Sequence, residues 1–313
     1  MLPLMPRVFL GWDEPFLKPA VAWLLERRHD FPGMLILVPT AQSGRRLREA
    51  LAEAAGAILA PKVATPGSLL HPDSPGVAPD WLEQVAWAEI LEAIEDWTPY
   101  TALFPEKPGE GAGWASSLAA EMVRLRRSLQ ENGLTLHTAA WTLKESPESE
   151  RWQALAQLEN LAEARLSQWK WKSRSRSLAE GLRLPDVNQI VLAGVPEVPP
   201  LLGRVLTDWK GQVFSLIGAP ESRAADFSPI GRPLPDVWDR LSLPWPEGRE
   251  GSVTLAADPR QQAMEALDAV SRGGRSSDEI ALGSADPESG SELQRVFTRN
   301  GWTAFHPAAT EVT

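Results

Sequence analysis

The first seventy residues switch repeatedly between two hydrophobic periods. A short apolar run at residues 7–10 gives way to Phe16, Val21, Leu24 and Leu25 at helical spacing, which predicts a helix over residues 15–28. Met34-Leu-Ile-Leu-Val38 is an unbroken apolar strand that stops at Pro39, and Thr40 and Ser43 lead into a helix over residues 45–55. A third strand is expected at residues 61–65. A wholly apolar strand between helices belongs to a parallel sheet covered on both faces, so this stretch predicts an α/β domain.

From about residue 80 to residue 184 the strand signal disappears. Trp81, Val85, Ile90, Leu91 and Ile94 predict one helical stripe, and Leu118, Met122, Leu125 and Leu129 a second that Gly133 terminates. Residues 134–143 and 148–169 are two further amphipathic stretches. Strands return at residues 189–193 and 212–217 around a helix at 201–209. Each of these strands ends in a glycine, Gly194 and Gly218, where an α/β sheet places its binding crevice. A Pro-rich bridge at 220–246, with a helix-like stretch at 235–241, leads to a second alternation. Strands are expected there at 252–256, 279–282 and 302–305, with helices at 259–272 and 287–301. The chain stops inside that last unit and reads as a piece of a longer protein. The predicted organisation is α/β residues 1–78, a helical insertion 79–185, α/β residues 186–246, and the start of a second α/β domain at 247–313.

Composition narrows the function. The 313 residues suit two or so domains, and 43% hydrophobic residues supply real cores. A net charge of −10 excludes a protein whose whole surface coats nucleic acid; any such contact is a local patch. With no cysteine there is no disulfide scaffold, no Cys-ligated zinc or iron–sulfur centre and no thiol catalysis. No apolar run approaches a membrane span, and the prolines and acids of the N-terminus do not form a signal peptide, so a soluble, cytoplasmic protein with no membrane contact is expected.

Candidate chemistry concentrates in a few strings. The first strand–loop–helix is where a phosphate loop would sit, but Gly11 to Lys18 departs from that pattern. Phe16 stands at the second glycine, Leu17 at the lysine and Lys18 at the hydroxyl, while Asp13, Glu14 and Pro15 fill the loop. ATP binding is not expected; a helix entry with acids favourable to the dipole is the alternative. Thr40, Gln42, Ser43, Arg45 and Arg46 bring hydroxyls, an amide, a helix N-terminus and guanidiniums to the end of a buried strand, the groups that hold nucleic-acid phosphates. An ordinary capped surface helix would look the same. Trp169, Lys170, Trp171, Lys172, Arg174 and Arg176 interleave indoles with cations, and residues 165–183 carry six positive residues against one negative. The alternative is a helix terminus with its tryptophans packed inward. Arg124, Arg126 and Arg127 form a lesser cluster with the same ambiguity. Pro185-Asp186 and Asp208-Trp209-Lys210 spell a metal-nuclease pattern, but the second acid and the lysine close a helix rather than a strand, so the match is chance. His29, His71, His137 and His306 show no paired spacing for a metal, and no catalytic constellation is present. No cofactor is expected.

Taken together, Val8 to Phe16, Leu35 to Thr40 with its Arg45-Arg46-Leu47-Arg48-Glu49 helix, Ile190 to Pro200, Val213 to Ala219, and Val253 to Pro259 with Ile280 to Leu282 and Gly301 to Phe305 resemble AddB-type helicase–nuclease subunits. The resemblance is to the N-terminal region and implies a RecA-like, superfamily 1 helicase-like domain split by the helical insertion, followed by the opening of a second helicase-like domain. Such subunits pair with an AddA-like, ATP-driven helicase–nuclease and resect DNA double-strand breaks for recombinational repair. Their N-terminal region no longer acts as a motor, and in some members it recognises a regulatory sequence in the exiting single strand. One branch has a degenerate phosphate loop, as Gly11 to Lys18 does. The family's nuclease domain is C-terminal, and neither it nor an iron–sulfur cysteine set is found among these residues. By the resemblance, Thr40 and Gln42 stand at a motif contacting the DNA backbone, and Gly194 at the nucleotide-sensing motifs.

The expected function is therefore a non-catalytic, helicase-like region that contacts single-stranded or partly unwound DNA and a partner motor. The alternative is a protein–protein assembly module on an α/β scaffold with no nucleic-acid contact. An enzyme using the Gly194/Gly218 crevice would lack an acid–base pair.

Overall fold

Five short strands lie side by side, all parallel, in the order β1-β5-β4-β2-β3. They are β1 (Arg7–Phe9), β2 (Met34–Leu37), β3 (Lys62–Ala64), β4 (Gln189–Ala193) and β5 (Gln212–Ile217). The computed structural model describes residues 5–70, 74–109, 113–242, 253–274 and 280–304. Side chains alternate across the sheet with period two. Met34, Ile36, Val38, Val191, Ala193 and Leu216 meet Val21 and Leu24 of α1 (Leu17–Leu25) and Leu47 and Leu51 of α2 (Ala41–Ala55). On the opposite face Leu35, Leu37, Ile190, Leu192 and Val213 meet Leu69 of α3 (Pro66–Leu69) and Leu202 and Leu206 of α9 (Pro200–Asp208). β2 is buried on both faces, as its unbroken apolar run predicts. The chain is α/β with a parallel sheet covered on both sides.

Between β3 and β4 the chain forms helices: α4 (Asp80–Glu92), α5 (Trp114–Glu131), α6 (Leu136–Thr142), α7 (Ser149–Gln168) and α8 (Arg174–Ala179). The face of α4 differs from the predicted stripe. Trp81 and Val85 are exposed, and the buried side runs through Glu83, Ala86, Trp87, Ile90 and Leu91. The strong hydrophobes at 81 and 85 obscured a face that carries a carboxylate. α7 ends with Trp171 N–H donating to the Leu166 carbonyl at 2.9 Å, and Lys170 takes the left-handed conformation (φ 65) that glycine usually fills at such an end. A parallel bridge pairs Val77 with Lys172, so the chain entering α4 is stitched to the chain leaving α7. Beyond β5 come a 3₁₀ turn (Glu221–Asp226) and a short α10 (Pro235–Trp238).

Two compact units result, Met1–Leu241 and Ser242–Thr313. The second contains α11 (Pro259–Gly273) and α12 (Pro287–Arg299), capped by Asp258 and Asp286, which accept from the backbone N–H groups of Gln261 and Ser289 at 2.7 Å. Ala263, Val296 and Phe297 are buried there, and Phe297 packs edge-on against Trp302. The expected strands of this unit are not formed among its described residues: 253–256, 280–282 and 302–304 carry none, while 252, 279 and 305 lie outside them. A strand is defined by its pairing, and Val253 and Leu255 have none; they are 94% and 91% exposed. Among the described residues of 247–313 the two expected helices are present and no strand is formed. Among the described residues no helix is long and apolar enough to cross a membrane.

Candidate functional site at the carboxyl edge of the sheet

From β2 the chain leaves through α2 to β3, packed on one face; from β4 it leaves through α9 to β5, packed on the other. The sheet therefore switches direction between β2 and β4, and a crevice opens outside their carboxyl ends, where open α/β sheets bind ligands. A cleft of about 680 Å³ lies there, walled by Pro39, Thr65, Asn132, Pro196, Pro199 and Arg232. The helical region contributes one wall because α5 ends against α9, where an Arg204 guanidinium N–H donates to the Asn132 carbonyl at 2.8 Å.

α2 starts at the rim of this cleft. The Thr40 hydroxyl accepts from the Ser43 backbone N–H at 3.0 Å and lies 2.9 Å from the Ser43 hydroxyl. Gly44 seats the helix close to the sheet: a Cβ there would come within 3.1 Å of Val63 and 3.3 Å of Val38. Thr40, Gln42, Arg45 and Arg46 are exposed. They are not idle, since Arg45 donates to the Gln42 side chain and Arg46 pairs with Glu49 at 2.9 Å, but such exposed pairs exchange readily with solvent.

The crevice on the far side of β4 is closed. The Phe16 ring lies against Gly194 and Gly218 at the ends of β4 and β5; a Cβ at Gly194 would meet the ring at 2.9 Å and one at Gly218 at 3.1 Å. Gly194 also has φ +62, a conformation that L side chains rarely adopt. The Trp12 indole N–H donates to the Gly218 carbonyl at 2.7 Å, and the Gly11 N–H donates to the Ala219 carbonyl at 3.0 Å. Leu17 begins α1, and Lys18 turns outward to Glu14 at 2.9 Å. An aromatic ring occupies the space in which a phosphate loop would present N–H donors and a cation.

The basic string lies elsewhere and is largely engaged. Trp169 packs on Ala78, Ala86 and Leu166. The Lys172 backbone joins Gly76 and Ala78, and its ammonium pairs with Glu180 at 2.6 Å. The Arg174 backbone N–H donates to Glu83 at 2.7 Å, and its guanidinium pairs with Asp80, which also binds Arg127. Lys170, Trp171 and Arg176 remain exposed, Arg176 with Glu180 at 3.9 Å.

Arg126, from the lesser cluster, is 1% exposed at the centre of the helical region. It pairs with Glu83 and Glu159 at 2.9 Å each, with Glu163 at 2.5 Å and with the Ser173 hydroxyl at 3.1 Å, while His137 reaches Glu159 at 3.0 Å. Burial pushes the Glu83 carboxyl up, and the Arg126 charge only partly offsets it. Burial also opposes the charge on Arg126, but Glu83, Glu159 and Glu163 together outweigh it and hold its pKa above the ordinary value. The signal for this cluster was present in the spacing: Met122, Arg126 and Gln130 continue one buried stripe of α5, and Glu159 sits among Leu155, Leu158 and Ala162 on α7. Among the described residues no group of three or more His, Asp or Glu side chains is arranged to hold a metal ion. Comparison of the chain with models of known protein families and with curated proteins finds no match.

Proposed function

We propose that this chain is a RecA-like, helicase-type scaffold that does not hydrolyse nucleotide and contacts single-stranded DNA along the carboxyl edge of its sheet, within a DNA-break repair helicase–nuclease. One observation carries the reading: Phe16 fills the crevice beside β4 and β5, while the switch-point cleft beside β2 and β4 stays open. Pro39 lines that cleft together with Glu131 and Glu197, and the residues that follow it along the chain bring donors (Thr40, Gln42, Ser43) and positive charge (Arg45, Arg46) to the same end of β2. These groups hold a sugar–phosphate backbone without reading its bases. The wall formed by α5 and α9 leaves the opposite rim for a motor subunit.

The test is fluorescence anisotropy of a labelled single-stranded oligonucleotide across a salt series. Binding is expected at low salt and falls steeply as counterions compete. The R45A/R46A variant weakens it and lowers the salt slope by about one for each phosphate no longer neutralised. Absence of binding at low salt, or affinity indifferent to salt, defeats the reading. The second reading, an assembly module that binds no nucleic acid, is favoured by the ion pairs that engage Lys172, Arg174 and Arg127 and by exposed Trp81 and Trp141. Low-salt oligonucleotide binding that R45A/R46A weakens separates the two, because an assembly module has no such affinity to lose.

A further inference from the structure

A small polar cleft beside α8 gathers more positive charge than the fold requires. Among the described residues it encloses about 200 Å³ and includes Ser74, Lys172, Ser177, Glu180 and Arg183 in its walls. The Val77 bridge and two backbone hydrogen bonds, Ala78 N–H to Lys172 and Lys172 N–H to Gly76, fix the point from which the Lys172 side chain departs. Its ammonium meets one oxygen of Glu180 at 2.6 Å, and Arg176 approaches the other at 3.9 Å. Arg183 acts on the same carboxylate. Together the three cations hold the Glu180 carboxyl below its usual range, the Lys172 hydrogen bond most strongly.

Lys172 and Arg176 thus pair with one carboxylate while Arg183 shares the cleft wall, three positive charges against one negative. Exposed ion pairs add little to stability, so folding alone gives no reason to converge them. A carboxylate presents two oxygens and a single charge; a phosphate presents more of both and matches guanidinium and ammonium donors. The Ser74 and Ser177 hydroxyls add neutral donors on the walls.

We propose that this cleft is a phosphate-binding site in which Glu180 is an internal placeholder: an incoming phosphate group displaces its carboxylate from Lys172, Arg176 and Arg183. The inference rests on the nucleic-acid reading for the carrier of that phosphate, a DNA strand. It adds a contact that shares no lining residue with the switch-point cleft. Glu180 sets a threshold, so that only a ligand more anionic than a carboxylate enters.

The full chain and its E180Q, R183A, K172M and R45A/R46A variants are compared in two assays at low salt. One is anisotropy with a labelled twelve-nucleotide oligothymidylate; the other is the shift in melting temperature on adding inorganic pyrophosphate. E180Q is expected to tighten oligonucleotide binding about threefold, the size of effect set by one exposed ion pair, and R183A and K172M to weaken it comparably. Pyrophosphate should raise the melting temperature of E180Q more than that of the unaltered chain. The proposal is overturned if E180Q, with an unchanged circular dichroism spectrum, binds both probes no better than the unaltered chain. It is also overturned if R183A and K172M change nothing. Oligonucleotide binding that responds only to R45A/R46A overturns the phosphate cleft and leaves the nucleic-acid reading standing. Pyrophosphate binding that responds to E180Q and R183A, with no oligonucleotide binding, sustains the cleft and removes the DNA strand as its carrier.

Discussion

The sheet layer and the helical region are built on opposite principles. Of seven buried polar or charged residues among those described, six lie in the helical region and only Ser215 lies in the sheet, where its hydroxyl donates to the Ile230 carbonyl at 2.9 Å. The sheet is held by alternating aliphatic faces whose geometry comes from strand pairing. The helical region closes on Arg126, which draws carboxylates from α4 and α7 and a hydroxyl from the start of α8. Apolar burial is permissive about partners, whereas a desolvated guanidinium accepts only an arrangement that supplies its acceptors. The difference teaches that strand pairing can fix a layer with grease alone, while helices free to rotate about their axes gain a unique register from a buried charge.

The largest test of that contrast is Arg126→Met. Removing the cation strands three carboxylates and is expected to cost about 3–5 kcal/mol of unfolding free energy in urea titration. A loss under about 1 kcal/mol would mean that the helical core is as permissive as the sheet. Leu37→Ala, in the fully buried β2, is expected to cost about 2–5 kcal/mol through cavity formation. It should leave the helical region's hydrogen-exchange protection intact if the two regions open separately. Gly194→Ala comes next, at about 1–3 kcal/mol, since the new methyl meets the Phe16 ring and φ is positive. Combined with Phe16→Ala, its cost should shrink, and additive losses would show that the ring does not press on Gly194.

The smallest effect is Glu83→Gln. Glu83 has a folded pKa above its ordinary 4.5, so the stability it contributes is fully present below 4.5 and is lost as pH rises through the folded value. Glutamine cannot ionise, so E83Q should flatten the decline in stability on going upward from about pH 4.5. Thermal melts of both proteins over that range check it, and identical profiles would remove burial of Glu83 from the account.

Much of the sheet was legible from one dimension. β2, β4 and β5 are apolar runs ending at proline or glycine, and the structure forms each within a residue or two of its expected limits. α11 and α12 announce themselves through Asp and Pro at their starts. The strands around them were not to be had from pattern alone, because alternation at Val253 and Leu255 states a capacity to pair and not the presence of a neighbour. The basic string from Trp169 to Arg176 was visible as charge, but the acids that engage it, Asp80 and Glu83, lie some ninety residues earlier. Phe16 could be seen to spoil a phosphate loop. That its ring settles on two glycines from separate strands is a fact of topology.

The stitch between Val77 and Lys172 has a practical consequence. Where a polypeptide excursion of more than ninety residues begins and ends within one hydrogen bond, its removal leaves a gap that a tight turn can span at small entropic expense. The α4–α7 segment is then an exchangeable cassette: grafting a different helical module between those two positions would alter what the molecule displays without asking the five strands to find new neighbours.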